Sequence, residues 1–111
     1  MIASDILRGC TETIILAQLM QGDSYGYRIN KTIQQKSGGE LELKEATLYT
    51  VFRRLEQSGD ITAYWGDETT GARRKYYAIT DKGRETYCKL SGEWKHARDI
   101  INNLMETEVQ P

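Results

Sequence analysis

Little in this sequence is of the kind that braces a small fold or performs chemistry unaided. There are two cysteines, one proline and one histidine in 111 residues. Two thiols, Cys10 and Cys88, make neither a disulfide framework nor a zinc site, since both need more ligands or pairs, and core packing is the expected role of each. A lone histidine, His96, excludes a catalytic triad and a histidine-rich metal site, and a surface position is expected for it. The proline, Pro111, lies outside every expected element. No apolar run approaches the ~20 residues that cross a bilayer, and the N-terminus lacks the basic-then-apolar layout of a signal peptide. A cytoplasmic protein with no membrane partner is expected. Net charge is scarce too, at −1, which provides no global attraction to a polyanion. Any nucleic-acid binding has to come from cations gathered on one face.

What is present is an ordinary globular composition, 39% hydrophobic and 28% charged, in a chain long enough for one compact domain plus an appendage. Ile14, Ile15, Leu16, Leu19 and Met20 mark a first helix, ended by the turn Gln21-Gly22-Asp23. Ser24 is placed to cap a second helix, whose apolar stripe is Ile29 and Ile33 and whose stop is Gly38-Gly39. Glu40-Leu41-Glu42-Leu43 alternates at the strand period and leads into a third helix over about 44–58, stopped by Gly59. In that helix Leu48, Val51, Phe52 and Leu55 follow the i, i+3, i+4, i+7 spacing of a core face, with Thr47, Thr50, Arg54 and Gln57 opposite.

Two β-rich runs, 61–65 and 73–79, follow as a hairpin around the polar turn Gly66-Asp67-Glu68-Thr69-Thr70-Gly71. Thr80 supplies a capping hydroxyl for a last helix to about Thr107, roughly 40 Å long at 1.5 Å per residue. That exceeds what one side of a domain this size covers. Tyr87, Leu90, Trp94, Ala97, Ile101 and Leu104 recur at alternating steps of three and four, the seam of a coiled coil, so a homodimer interface is expected there. Packing of the same seam on the first helix, or a mixture of both, is the alternative.

The fold class is thus mainly α with a small β-hairpin (α+β). The element order is that of a winged helix-turn-helix over 1–79, with a long C-terminal dimerisation helix over 80–107 and a tail over 108–111. In such folds the third helix enters the major groove and the hairpin wing follows the backbone. Thr47 and Thr50 beside Arg53 and Arg54 combine close approach to base edges with phosphate neutralisation, although a solvated helix face looks the same. Gly71-Ala72-Arg73-Arg74-Lys75 puts three consecutive cations beyond the wing turn, which favours phosphate contact; cations that merely protect a strand edge are the bland alternative. Of Tyr76 and Tyr77, one is expected in the core and the other near a phosphate. Asp67 and Glu68 have no nucleophile or phosphate loop beside them, so turn formation explains them and neither an enzyme nor a cofactor is expected. A winged-helix protein-interaction module without DNA activity is the rival reading.

Leu7-Arg8-Gly9, Asp23-Ser24-Tyr25-Gly26-Tyr27, Leu43-Lys44-Glu45-Ala46-Thr47-Leu48-Tyr49, Arg54-Leu55-Glu56-Gln57-Ser58-Gly59 and the run from Gly71-Ala72-Arg73-Arg74-Lys75 through Tyr76-Tyr77-Ala78-Ile79-Thr80-Asp81-Lys82-Gly83 resemble the PadR family of bacterial repressors, in its short subgroup. The resemblance implies a homodimer on a palindromic DNA operator. By position it puts the recognition helix on 44–57, with Lys44, Ala46, Thr47, Tyr49, Thr50, Arg53 and Arg54 facing DNA, and the wing on 71–75, with Gly71, Arg73, Arg74 and Lys75. Tyr25 and Tyr27 match the family signature at the start of the second helix, where a phenol and free N–H groups could reach a phosphate. Thr50 stands where many members have proline, and members with threonine there include multidrug-responsive repressors. In those a tryptophan matching Trp94 lines a pore at the dimer centre. The same architecture would gather Ile6, Gly9, Thr13 and Ala17 around Trp94 and admit a planar aromatic effector. Lys95 and Arg98 suit a bound cation poorly, which keeps anionic or neutral planar ligands open.

Overall fold

The computed structural model describes residues 1–67 and 73–107. Along the chain run α1 (Ser4–Leu7), α2 (Thr11–Met20), β1 (Ser24–Tyr25), α3 (Gly26–Lys36), α4 (Glu45–Gln57), β2 (Ile61–Trp65), β3 (Lys75–Ile79) and α5 (Asp81–Met105). Gly71 and Glu68 of the wing turn, and the tail 108–111, lie outside the described residues.

The core forms where the apolar stripes of α2, α3 and α4 meet one face of the sheet. Leu48, Val51, Phe52 and Leu55 are all buried, as their helical spacing requires, together with Ile15, Leu16, Leu19, Ile29 and Ile33. Phe52 stacks on Tyr77 with ring centroids 3.9 Å apart and planes inclined by 17°. Tyr77 is therefore the inward member of the tyrosine pair, and Tyr76 lies on the other face of β3. Truncating a ring buried like Phe52 costs about 3–5 kcal/mol.

The hairpin is part of a larger sheet. β3 is central in an antiparallel order β1-β3-β2, with Ser24 and Ala63 both opposite Tyr77. Ser24 therefore does not cap α3. It belongs to β1, Tyr25 occupies the N-cap without a side-chain bond, and the Ser24 Oγ accepts from Arg28 Nε at 2.9 Å. The alternating stretch Glu40-Leu41-Glu42-Leu43 is not a strand either. Leu41 and Leu43 are buried as the alternation expects, but side chains complete their backbone bonding. Asn30 Nδ2 donates to Leu43 O at 2.7 Å while Leu43 N donates to Asn30 Oδ1 at 3.1 Å, and Leu41 N donates to Ser37 Oγ at 3.0 Å. One amide side chain thus stands in for a neighbouring strand.

Gly59 ends α4 with φ of 80°, a left-handed conformation that favours glycine. Thr80 caps α5 as expected, its side chain accepting from Gly83 N at 3.0 Å. The buried Asp60 ties the end of α4 to the root of α5: its carboxylate accepts from Ser58 Oγ and Thr86 Oγ1, each at 2.7 Å. Gly83 passes so close that a Cβ there would collide with the Asp60 carbonyl oxygen and come within 2.7 Å of Ile79 Cγ1.

Beyond this root α5 divides in two. Tyr87 and Leu90 pack against the core, whereas Trp94, Ala97, Ile101 and Leu104 are exposed, Leu104 by 80%. Cys88 is exposed, not buried as expected, because it follows Tyr87 on a side of α5 turned from the core; Cys10 is half-buried. His96 is exposed. Among the described residues no helix is long and apolar enough to cross a membrane.

Candidate nucleic-acid interface

The first turns of α4 begin at Lys44, its N-cap, and present Ala46, Thr47, Tyr49 and Thr50 to the exterior, followed by Arg53 and Arg54. Their chemistry differs more than the residue types imply. The Thr50 hydroxyl donates to Ala46 O at 2.8 Å, so its proton is used within the helix and its methyl group is what it offers outward. Arg54 reaches back to α2, with Nε 2.9 Å from Glu12 Oε1. Arg53 carries no such ion pair among the described residues.

The wing cations, consecutive in sequence, go to three surroundings. Arg73 Nε donates to Gly66 O at 3.1 Å and fastens the base of the hairpin, where Gly66 N also donates to Arg74 O at 2.7 Å. Arg74 lies over the Tyr25 ring at 4.9 Å, and Arg28 over the same ring at 4.8 Å. Lys75, one step on and so on the opposite face, lies 3.9 Å from Glu56 Oε1. Tyr25 is therefore a stacking surface shared by two guanidinium groups, with Tyr76 edge-on at 5.4 Å. Tyr64 stacks on Tyr76 at 5.6 Å and donates its hydroxyl to Asp23 Oδ2 at 2.6 Å. That bond holds the Tyr64 phenol above its ordinary pKa.

Tyr27, 71% exposed, stands at the start of α3. It joins Tyr25, Gly26, Tyr49, Trp65 and the three wing cations around a cleft of about 470 Å³ between wing and helices. Gly26 lets α3 cross α4 closely, since a Cβ there would sit 3.3 Å from the Leu48 side chain and the Tyr49 hydroxyl. Trp65 is absent from the DNA-facing set expected from sequence. Its alternation with buried Ile61 directs it inward, and only its place at the hairpin end leaves it 59% exposed.

The effector set is partly brought together. Ile6, Thr13, Ala17 and Trp94 line an apolar groove of about 330 Å³ between α1, α2 and α5, with Ile2, Leu7, Cys10, Ile14, Tyr87 and Ser91 in addition. Gly9 is not in its wall; with φ of 88° it makes the turn between α1 and α2. Arg98 is not in the wall either, but its guanidinium lies over the Trp94 ring at 5.2 Å and bonds to Asp99 at 3.0 Å.

An exposed helix with polar and cationic side chains, set beside a hairpin on a small helical body, defines a winged-helix DNA-binding protein. The Transcriptional regulator PadR-like family model matches residues 15–89. A transcriptional regulator from Clostridium thermocellum is 45% identical with a TM-score of 0.85, over 93% of this chain and 100% of that one. A PadR family transcription regulator from Clostridium difficile is 32% identical with a TM-score of 0.74, over 86% of this chain and 97% of that one. An uncharacterized protein of Lysinibacillus sphaericus is 43% identical over 96% of this chain and 97% of its own length. The chain belongs to the PadR-like family of transcriptional regulators, and it is a DNA-binding regulator, not an enzyme.

Proposed function

We propose that this regulator is a repressor that binds a palindromic operator as a homodimer, with 1–79 as the DNA-binding part and 80–107 as the dimerisation helix. The observation that carries the reading is the uncovered half of α5. Trp94, Ile101 and Leu104 leave a continuous apolar seam in water, and a second copy of the same helix buries it at least cost, since isologous contacts satisfy both copies at once. Two copies of α4 are then held at a fixed separation, which palindromic half-sites require. Lys44, Ala46, Thr47, Tyr49, Thr50 and Arg53 face the base edges and flanking phosphates, and Tyr25, Tyr27, Gly71, Arg73, Arg74 and Lys75 hold the backbone. Arg54 acts through Glu12 as a brace for α4 more than as a phosphate ligand.

The groove under Trp94 takes a planar aromatic effector at the dimer centre, formed by Ile6, Thr13 and Ala17 and closed by the second copy. Arg98 against the indole favours neutral or anionic rings over cations. Occupancy of a groove between the two copies changes their spacing, and with it both DNA readers.

The test is salt-dependent binding to DNA from upstream of the protein's own gene. Replacing Arg73, Arg74 and Lys75 by alanine should weaken binding to every sequence and flatten the salt slope by roughly 0.9 for each phosphate no longer neutralised. Substituting Thr47 should instead change which operator is preferred. Unchanged affinity in the triple variant overturns the wing assignment.

A further inference from the structure

Trp65 is the exposed tryptophan on the DNA-facing side, and its surroundings are unusual for an exposed indole. It lines the cleft with Tyr27, Tyr49, Arg73, Arg74 and Lys75, and among the described residues no carboxylate side chain contributes to that wall. Directly across the ladder it pairs with Lys75. A large apolar ring left 59% exposed beside Arg73, Arg74 and Lys75 suits a partner that offers both an apolar face and anions better than a wholly apolar one. It is well placed for a polymer whose repeating unit alternates an apolar face with an anion. The deoxyribose-phosphate chain is such a polymer.

We propose that Trp65 is a DNA-contacting residue, its indole lying against deoxyribose rings of the strand the wing follows, with its N–H available to a phosphate oxygen. The inference rests on the operator-binding reading and deepens it by adding a non-ionic component. Neighbouring cations release counterions when they meet phosphate and so make binding salt-dependent. Burial of an indole face releases none. Trp65 therefore contributes affinity that salt does not remove, and it keeps the wing seated under conditions where Arg73 to Lys75 are screened.

The salt dependence separates this role from a merely structural one. In the full-length protein, with DNA from upstream of its own gene as probe, Trp65→Ala should weaken binding ~10-fold at every salt concentration with the slope unchanged, the loss expected for roughly 50 Å² of apolar contact. Trp65→Phe should restore most of the affinity. Protein labelled with 5-fluorotryptophan has one fluorine signal for each of its two indoles, and the one removed by Trp65→Phe should shift when DNA is added. Unchanged affinity in Trp65→Ala, or a Trp65 signal unmoved by saturating DNA, overturns the proposal while leaving operator binding intact. A flattened slope in Trp65→Ala also overturns it, because the indole then only arranges the cations. Failure of the wild type to bind DNA at any salt overturns the operator reading and this proposal with it.

Discussion

Trp65 and Trp94 are both about half exposed or more, yet the regions around them ask for opposite partners. Trp65 shares its cleft with three cations, of which Lys75 is paired with Glu56 from outside the cleft wall; Trp94 overhangs a groove of Ile6, Thr13 and Ala17, and the one cation on its ring, Arg98, is bonded to Asp99. Exposure alone says only that an indole has surface left to bury. The charge of its neighbours says against what: a polyanion in the first region, an apolar face or ring in the second.

The contrast between the two regions is broken most decisively at the α5 seam. Ile101→Lys with Leu104→Lys should make the protein monomeric in sedimentation and lower operator affinity ~1000-fold, because two linked half-site contacts become independent ones. A variant that remains dimeric would remove α5 from the interface. The next largest effect lies where the two regions join. Gly83→Ala should cost about 3 kcal/mol in a urea melt, since the new Cβ collides with the Asp60 carbonyl and forces α5 away from Asp60 and from Ile79 of β3. Within the DNA-facing region, Arg53→Ala should weaken operator binding ~10-fold, whereas Arg54→Ala should change it by less than about twofold, its guanidinium being engaged with Glu12. Equal effects in the two variants would return Arg54 to the phosphate ligands.

The smallest effect is confined to alkaline solution. Burial pushes the Tyr77 phenol up to about 12. The folded protein therefore keeps this proton to about 12, while the unfolded chain releases it near 10. Its contribution to stability is intact below pH 10 and disappears as the pH climbs through 12. Ultraviolet titration should show one phenol ionising last, and Tyr77→Phe should remove that step while Tyr76→Phe leaves it.

Much of this was legible in the sequence because burial imposes a period. The inward face of α4, the stop at Gly59 and the Thr80 cap all follow from spacing and local chemistry. The two-residue β1 was not, since a pair has no period and Ser24 ahead of a helix looks like a cap. The alternation over Glu40-Leu41-Glu42-Leu43 correctly marked which side chains are buried, but not that Asn30 would replace a strand. Adjacent arginines cannot be ranked by sequence when the distinction depends on Glu12, which only the fold brings to Arg54. Likewise, nothing in the even spacing from Tyr87 to Leu104 marks where the core stops covering α5. Trp65 was hidden for a related reason: alternation points it inward, and the extent of the core decides whether it arrives.

Gly83 has a consequence for what lengths this chain can tolerate. Because contact with Asp60 pins α5 at its root, every residue farther along has a fixed angular position about the helix axis. One residue inserted between Gly83 and Trp94 would swing the indole by about 100° out of its groove, and seven would return it to the same side about 10 Å farther along. The segment from Gly83 to Trp94 thus behaves as a phase-locked ruler, able to change its side chains far more freely than its count.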